Sequence, residues 1–353
     1  QLATSPDILK RTFSDAVFID RFIGSYAALA QREPSPKPEE IKLLKELVEL
    51  IPKNPAKATE LLEAQVNSGS SGMLQMVLAN LYFQAGRLPE AAEAYQKCLR
   101  GYPEFLRAHK NLGLLYLQQG ELDKALTALS RSVELGDNDG RTYGLIGYCL
   151  LNKGKYLPAE TAYRQAVLNS PENLDWIAGL AQTLYNLAKY EEALALFKDL
   201  AAEDPDEQQY WSLMVNVYLN LGDDTKAAST LEIIRRMGQA SPENLGLLGD
   251  IYLNQQAFTL ALEAYQEALK TGDGLPAETP LRTVDILYTY GSYQLAEQLI
   301  EDMRARYGDN LEEEQSMKLL TIEAGLASAR GDEDAARQSL EQIVEQDATQ
   351  AGA

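Results

Sequence analysis

The stretch Leu78-Ala79-Asn80-Leu81-Tyr82-Phe83-Gln84-Ala85-Gly86-Arg87-Leu88-Pro89-Glu90-Ala91-Ala92-Glu93-Ala94-Tyr95 decides the fold, because its pattern recurs. Ala91, Ala125, Ala159, Ala193, Ala227 and Ala261 follow one another at steps of 34 residues. A period of that length with helical patterning is the signature of stacked helix pairs, none of which buries its apolar stripe alone. The sequence therefore predicts an all-α solenoid.

The six repeats start at Gly72, Leu106, Gly140, Leu174, Gln208 and Pro242. Register 7 is bulky (Leu78, Leu112, Ile146, Leu180, Met214, Leu248) and register 8 is small or slight (Ala79, Gly113, Gly147, Ala181, Val215, Gly249). Register 11 reads Tyr82, Tyr116, Leu150, Leu184, Tyr218 and Tyr252; register 24 reads Tyr95, Leu129, Tyr163, Phe197, Leu231 and Tyr265. Registers 4, 7, 8 and 11 share one face of the first helix, helix A. The small register 8 leaves room for a close approach, which the alanine at register 20 of helix B is expected to fill, with the large residues to either side. Gly86, Gly120, Gly154 and Gly222 mark the turn from A to B, where φ turns positive. Pro103, Pro171 and Pro205 mark the exit from helix B.

This set of registers resembles the tetratricopeptide repeat (TPR) family. The resemblance implies a right-handed superhelical α-solenoid, with a concave wall lined by helix A at registers 2, 5, 9, 12 and 13, and a protein or peptide bound there. Register 13 holds Gln84, Gln118, Asn152, Asn186, Asn220 and Asn254. A row of carboxamides can pair with the backbone of an extended peptide; the alternative is that these residues terminate helix A, where Asn is favoured. Register 9 adds Asn80, Tyr148, Gln182, Asn216 and Asp250, and register 12 adds Phe83 and Tyr185. Arg107, Lys110 and Arg141 gather on this wall early in the chain, and Asp175, Glu243, Asp250, Glu278 and Asp285 gather later, which gives a ligand a preferred direction. The family's chaperone-binding class combines Lys at register 5 with Asn at register 9. Here Lys110 is followed by Leu114 and Asn80 is preceded by Met76, so that combination is missing.

Outside the regular repeats the pattern loosens. Residues 1–37 read as an N-terminal capping helix, with Phe18, Phe22, Ile23, Tyr26 and Leu29 as its stripe, and a Pro-rich connector; a partner-docking helix is the alternative. Residues 38–71 form a degenerate helix pair, with Ile41, Leu44, Leu47 and Val48 as the apolar face of its first helix, and residues 72–275 the six regular repeats. Residues 276–310 are a degenerate repeat, 311–346 a C-terminal capping pair whose long helix Asn310 would cap, and 347–353 a frayed tail.

The formal charge of −20 offers no basic patch for nucleic acid or an anionic membrane. No stretch is long and apolar enough to span a bilayer. His109 is the single histidine and shares register 4 with Tyr143 and Trp211, so it reads as a packing residue; neither a metal pair nor a serine triad can be assembled. Asp137-Asn138-Asp139-Gly140 resembles calcium-loop material but reads as a turn and helix cap. Cys98 and Cys149 read as small buried hydrophobes. No catalytic residue, metal site or cofactor is expected.

The chain opens on Gln1 rather than methionine, which fits a cleaved secretory signal or a chain shortened by other means. The opening segment with Phe22, Gly24, Ser25 and Tyr26, followed by Glu33-Pro34, looks like bacterial envelope repeat proteins associated with proton-channel and TonB-type transport systems. That resemblance implies a periplasmic or otherwise exported protein with TonB-type transport components as partners; the cytoplasm is the alternative. The expected function is a non-catalytic scaffold. A regulatory region of a larger, enzymatic protein and an inert spacer stay open beside it.

Overall fold

A computed structural model describes residues 34–67, 69–271 and 275–351, and among them all regular structure is helical. The chain divides into two compact units, Gln1–Leu196 and Phe197–Ala353. The expected capping helix of residues 14–30 lies outside the described residues, as do Ser68, residues 272–274 of the lengthened junction, and the last two residues of the tail.

The first unit holds α1 (Ile41–Leu50), α2 (Pro55–Gln65), α3 (Gly72–Gln84), α4 (Leu88–Gly101), α5 (Leu106–Gln118), α6 (Leu122–Glu134), α7 (Gly140–Asn152), α8 (Tyr156–Asn169), α9 (Leu174–Asn186) and the start of α10 (Tyr190–Glu203). The second holds α11 (Gln208–Asn220), α12 (Asp224–Arg236), α13 (Pro242–Asn254), α14 (Phe258–Lys270), α15 (Glu278–Thr289), α16 (Tyr293–Tyr307), α17 (Glu313–Arg330) and α18 (Glu333–Ala351). Within each unit, most helices next to one another in sequence pack together.

Most A helices of the regular repeats begin where a polar side chain can satisfy their free N–H groups, α5 with Phe105 at its start being the exception. Ser71, Asp139 and Asn173 accept from the first turns of α3, α7 and α9, and Ser241 does so for α13. They end in a left-handed residue. Gly86, Gly120, Gly154 and Gly222 take φ between 67° and 75°, as expected. Ala188 and Gln256 fill the same register in the fourth and sixth repeats at φ 57° and 58°, a conformation in which a Cβ crowds the carbonyl oxygen.

The close approach of A and B is built differently from the expectation. The side chain at register 24, rather than the alanine at register 20, fills the space over register 8. A Cβ added to Gly147 would lie 2.8 Å from Cγ of Tyr163, one on Gly113 would lie 2.6 Å from Cγ of Leu129, and one on Gly249 would lie 2.7 Å from the Tyr265 ring. Register 20 is nonetheless sealed: Ala91, Ala125, Ala159, Ala193, Ala227 and Ala261 are all fully buried.

Neighbouring repeats are clipped by polar contacts that themselves repeat. In the first unit Gln96 Nε2 donates to the Tyr116 hydroxyl at 2.8 Å. In the second, the Tyr252 hydroxyl donates to Glu232 at 3.0 Å, the same two registers. Trp211 Nε1 donates to the Pro205 carbonyl at 2.9 Å, and a ring nitrogen of His109 lies 2.9 Å from the Pro103 carbonyl, so the histidine does the tryptophan's job. The buried Glu160 of α8 takes Lys189 Nζ at 2.8 Å and Arg164 at 2.9 Å, and Arg164 continues to Glu192 at 2.7 Å. The Lys189 ammonium, and after it the Arg164 guanidinium, hold the Glu160 carboxyl below the usual carboxylate range against the opposing pull of burial.

The degenerate elements depart from the sequence reading in detail. In α1 it is Leu43 and Leu47 that face the core, with Leu62 of α2 and Leu74, Val77 and Leu78 of α3, while Ile41 and Val48 are exposed. Asn310 sits in a 3-10 turn, and α17 instead begins with Glu312 and Gln315 in a reciprocal capping box. α18 runs to Ala351, so most of the expected tail is helical.

Two predictions follow from this packing. Gly147→Ala should drive a methyl into the Tyr163 ring and cost about 1–3 kcal/mol, whereas Ala188→Gly should be neutral or stabilising by up to about 1 kcal/mol, because it relieves the left-handed alanine; thermal melts of both variants check this. Glu160 has its pKa lowered on folding, so its contribution is complete above the ordinary carboxylate range and is lost as pH falls through the folded-state value. The melting difference between the parent chain and Glu160→Gln should therefore be present at neutral pH and close on acidification; a difference independent of pH would show that the network does not act through this charge.

Candidate functional site

The candidate site is the face of the A helices that the family resemblance assigns to a groove, and each unit presents its own part of it. Helix geometry places registers 2, 9 and 13 roughly 100–140° around helix A from the register 8 residue that meets helix B.

In the first unit, register 13 supplies Gln84, Gln118 and Asn186, all exposed, and Asn152, half-buried. Asn152 Nδ2 donates to the Tyr148 carbonyl four residues back at 2.8 Å, which is helix termination rather than an open rung. In the second unit Asn220 and Asn254 are exposed, and Asn220 Nδ2 makes the same bond, to the Asn216 carbonyl at 2.7 Å. At these two positions the terminator alternative describes what one amide hydrogen does.

Register 9 is the larger correction. Asn80 is buried: Asn111 Nδ2 donates to its side-chain oxygen at 3.0 Å, and the Tyr95 hydroxyl donates to the same atom. Asp250 accepts from the Tyr265 hydroxyl at 2.7 Å and from the Arg282 guanidinium. Both side chains tie their own helix B to the next helix A, and are not free groove contacts. The pairing was visible in the sequence, since Asn80 and Asp250 each share a repeat with a tyrosine at register 24, Tyr95 and Tyr265, whereas Gln182 and Asn216 share theirs with Phe197 and Leu231; Asn111 and Arg282, the partners from the following repeat, carried no such signal. Tyr148 is buried, and burial pushes its hydroxyl pKa up, while Asn216 is exposed.

The early cations are likewise engaged. Lys110 Nζ lies 2.8 Å from Asp139 and 3.2 Å from Asp137. Asp137 also accepts from Thr142 Oγ1 at 2.7 Å, and Asp139 caps α7 through the Arg141 N–H. The calcium-like stretch is thus a helix junction already bridged by a lysine; burial and Lys110 pull Asp139 in opposite directions, and the net is a lowered pKa. Arg107 is buried beside the Phe105 ring, and Arg141 is half-buried at the first turn of α7. Phe83 is buried, and the half-buried Tyr185 ring packs on Tyr190 with centroids 5.7 Å apart.

One polar atom on this face stands apart. Gln182 of α9, at register 9, has a side-chain oxygen that is shut off from water and has no hydrogen-bond partner among the described residues. A buried acceptor left in that condition is uncommon and calls for an explanation.

His109 lines an open cleft of about 740 Å³ with Leu112, Tyr116, Lys124, Arg131 and Glu134, but Lys124 pairs with Glu121 and Arg131 with Glu134. Both cysteine thiols are unpaired and buried, with burial pushing each up to about 12. Among the described residues, no group of three or more His, Cys, Asp or Glu side chains could hold a metal ion, and no helix is long and apolar enough to cross a membrane.

If the carboxamides of Asn152 and Asn220 serve their helices, then Asn152→Ala and Asn220→Ala should each lose about 0.5–1.5 kcal/mol of stability, the usual net worth of such a bond. Gln118→Ala, at an exposed side chain of the same register, should stay within about 0.5 kcal/mol of the parent. Equal melting temperatures for all three would remove the helix-end role.

Family models described as tetratricopeptide repeat match residues 76–140 and 212–276, and a second such model matches residues 150–217. No curated protein matches the chain. Among solved structures, the MamA protein is similar at 17% identity over 47% of this chain and 91% of its own, with a TM-score of 0.45. YrrB, described as a TPR protein with an unusual peptide-binding site, is similar at 18% identity over 62% of this chain and 96% of its own, with a TM-score of 0.45. A tetratricopeptide repeat protein from Parabacteroides merdae is similar at 19% identity over 72% of this chain and 98% of its own, again with a TM-score of 0.45. The tetratricopeptide repeat models together cover more than half of the residues, and the chain belongs to the tetratricopeptide repeat family.

Proposed function

We propose that this chain is a non-catalytic scaffold that binds a protein or peptide on the helix A face of its repeats, as part of a bacterial envelope assembly. The observation that carries the binding reading is the orphaned Gln182 oxygen in α9. An unpartnered acceptor shielded from water costs about 1–3 kcal/mol, and a ligand N–H that meets this oxygen as the side chain turns outward would remove that cost. Around it on α9 lie the half-buried Tyr185 and the exposed Asn186, and α7, which packs on α9, brings Tyr148 and Asn152. An aromatic surface with convergent amides suits a peptide, whose backbone offers donors and acceptors in alternation. The envelope placement, and TonB-type transport components as partners, rest on the sequence of the opening segment alone; fractionation of the native cell tests the first, and capture with the full chain as bait tests the second.

The binding site has a sharper test. Gln182→Met keeps the bulk of the side chain and removes the orphan. For a captured partner, its affinity should fall about tenfold, the equivalent of 1.4 kcal/mol, while the melting temperature of the free protein holds or rises because a buried unsatisfied group has gone. An unchanged affinity would move the binding site away from α9.

A further inference from the structure

Helix B begins directly after the A-to-B turn, at register 17 of each regular repeat. In the second unit the four B helices α12, α14, α16 and α18 open on Asp224, Phe258, Tyr293 and Glu333. The turns before them are alike, with Gly222, Gln256, Gly291 and Gly331 all at positive φ. One edge of this unit therefore carries two aromatic side chains with a carboxylate before them and another after them. The rings are at the surface. Tyr290, in the turn before α16, is 59% exposed and Tyr293 38%, while Phe258 is half-buried. Phe258 packs on Tyr290 with centroids 5.5 Å apart and Tyr288 on Tyr293 at 5.8 Å, so aromatic surface runs from one turn to the next. Asp223 and Asp332, one residue ahead of the helices, accept from the Lys226 and Ala335 N–H groups as caps, which leaves Asp224 and Glu333 as exposed carboxylates.

Charge singles out the same unit. Its sequence holds 29 Asp and Glu against 11 Lys and Arg, a net charge of −18, whereas the first unit holds 23 against 21, a net charge of −2. Several of its cations are engaged between repeats: Arg282, Lys318 and Arg330 pair with Asp250, Asp285 and Glu297 of the repeat before, and Arg235 with Glu267 of the repeat after. Register 16 shows the contrast at the turns themselves. Arg87, Lys155 and Lys189 stand there in three of the four regular repeats of the first unit, where the second unit has Asp223, Ala257, Ser292 and Asp332. Tyr156 and Tyr190 occupy register 17 in the first unit too, but each follows a lysine.

We propose that the A-to-B turn edge of the second unit is a further binding surface, separate from the helix A face, and that its ligand is a basic, proline-rich segment of a partner protein in the polyproline II conformation. The spacing supports this occupant. α14 and α16 pack on one another, and packed helices stand about 8–10 Å apart. A polyproline II helix has three residues per turn and a rise of about 3.1 Å, so its equivalent side chains recur about every 9 Å. Prolines three residues apart then meet Phe258 and the Tyr290–Tyr293 surface in succession, and a lysine or arginine to either side meets Asp224 or Glu333. Such a ligand makes no internal hydrogen bonds, so its carbonyls are open to the tyrosine hydroxyls. Rings set at separate steps suit this three-residue period, whereas a helical ligand lays a continuous apolar stripe into a continuous groove.

The test uses the full chain and three fluorescent peptides, built of four Pro-Pro-Lys, four Pro-Pro-Glu or four Gly-Ser-Lys units. The Pro-Pro-Lys peptide should bind about tenfold or more tightly than either of the others, one lacking the charge match and the other the preformed backbone. Tyr290→Ala/Tyr293→Ala should weaken its binding about tenfold, as expected for aromatic anchors. Asp224→Lys/Glu333→Lys changes only exposed side chains and leaves the rings in place; it should also weaken binding and reduce its dependence on salt. No binding of the Pro-Pro-Lys peptide overturns the proposal. So does equal binding of the Gly-Ser-Lys peptide, which would make the attraction one of charge alone, and so does an unchanged affinity in both double variants. Gln182→Met should leave the affinity for this peptide where it is, and a loss there would place the peptide on the helix A face and overturn the proposal as well. A captured partner that ignores Gln182→Met counts against the α9 site and leaves the turn edge standing.

Discussion

The contact between the small residue at register 8 and the large side chain at register 24 is the constraint on which the rest depends. Tyr163 lies against Gly147 of its own repeat and also against Gly179 of the next, so one ring fixes both the A-to-B approach and the stacking of a repeat on its neighbour. Interiors are packed closely enough that a single methyl at such a point has nowhere to go. The left-handed turn then follows, since helix A must stop and reverse within three residues to bring register 24 back over register 8. Where glycine is absent from that turn, at Ala188 and Gln256, the backbone takes the same conformation regardless, which shows that the packing dictates the turn and not the reverse.

Polar contacts supply a second layer, and they explain why the inner face is harder to read than the core. Asn80 and Asp250 each receive a tyrosine hydroxyl from their own helix B and a donor from the following helix A. In both cases a residue at a family groove register works as a strut between repeats. Lys110, Asn152 and Asn220 are similarly committed, to a junction and to helix ends. Subtracting the struts leaves a smaller set of groups for a ligand, among which the orphaned Gln182 oxygen is the one whose condition asks for a donor.

The two ends of the repeat series differ in what they offer. Early repeats carry methionine, leucine and aromatic side chains that are buried at the inner registers, while later ones carry glutamine, serine and asparagine at the equivalent positions.

By itself the sequence determined the helix pairs, their 34-residue beat, the buried alanines and the glycine turns, because these depend on local geometry and on patterns with a fixed period. It also marked His109, Cys98, Cys149 and the Asp137–Asp139 stretch as parts of the packing, and each is engaged in it. Only the tertiary structure decided which polar residues at the groove registers are held by other side chains. Whether a side chain such as Asn80 points at solvent or at a tyrosine depends on atoms 15 and 31 residues away, and helical periodicity says which face it lies on but not what lies opposite. The same reason accounts for register 8 meeting register 24 rather than register 20, for Leu43 taking the core position that Ile41 and Val48 leave to solvent, and for α17 starting at a capping box beyond Asn310. Each is a choice among helix faces or caps of nearly equal local preference, and packing against a distant helix makes that choice.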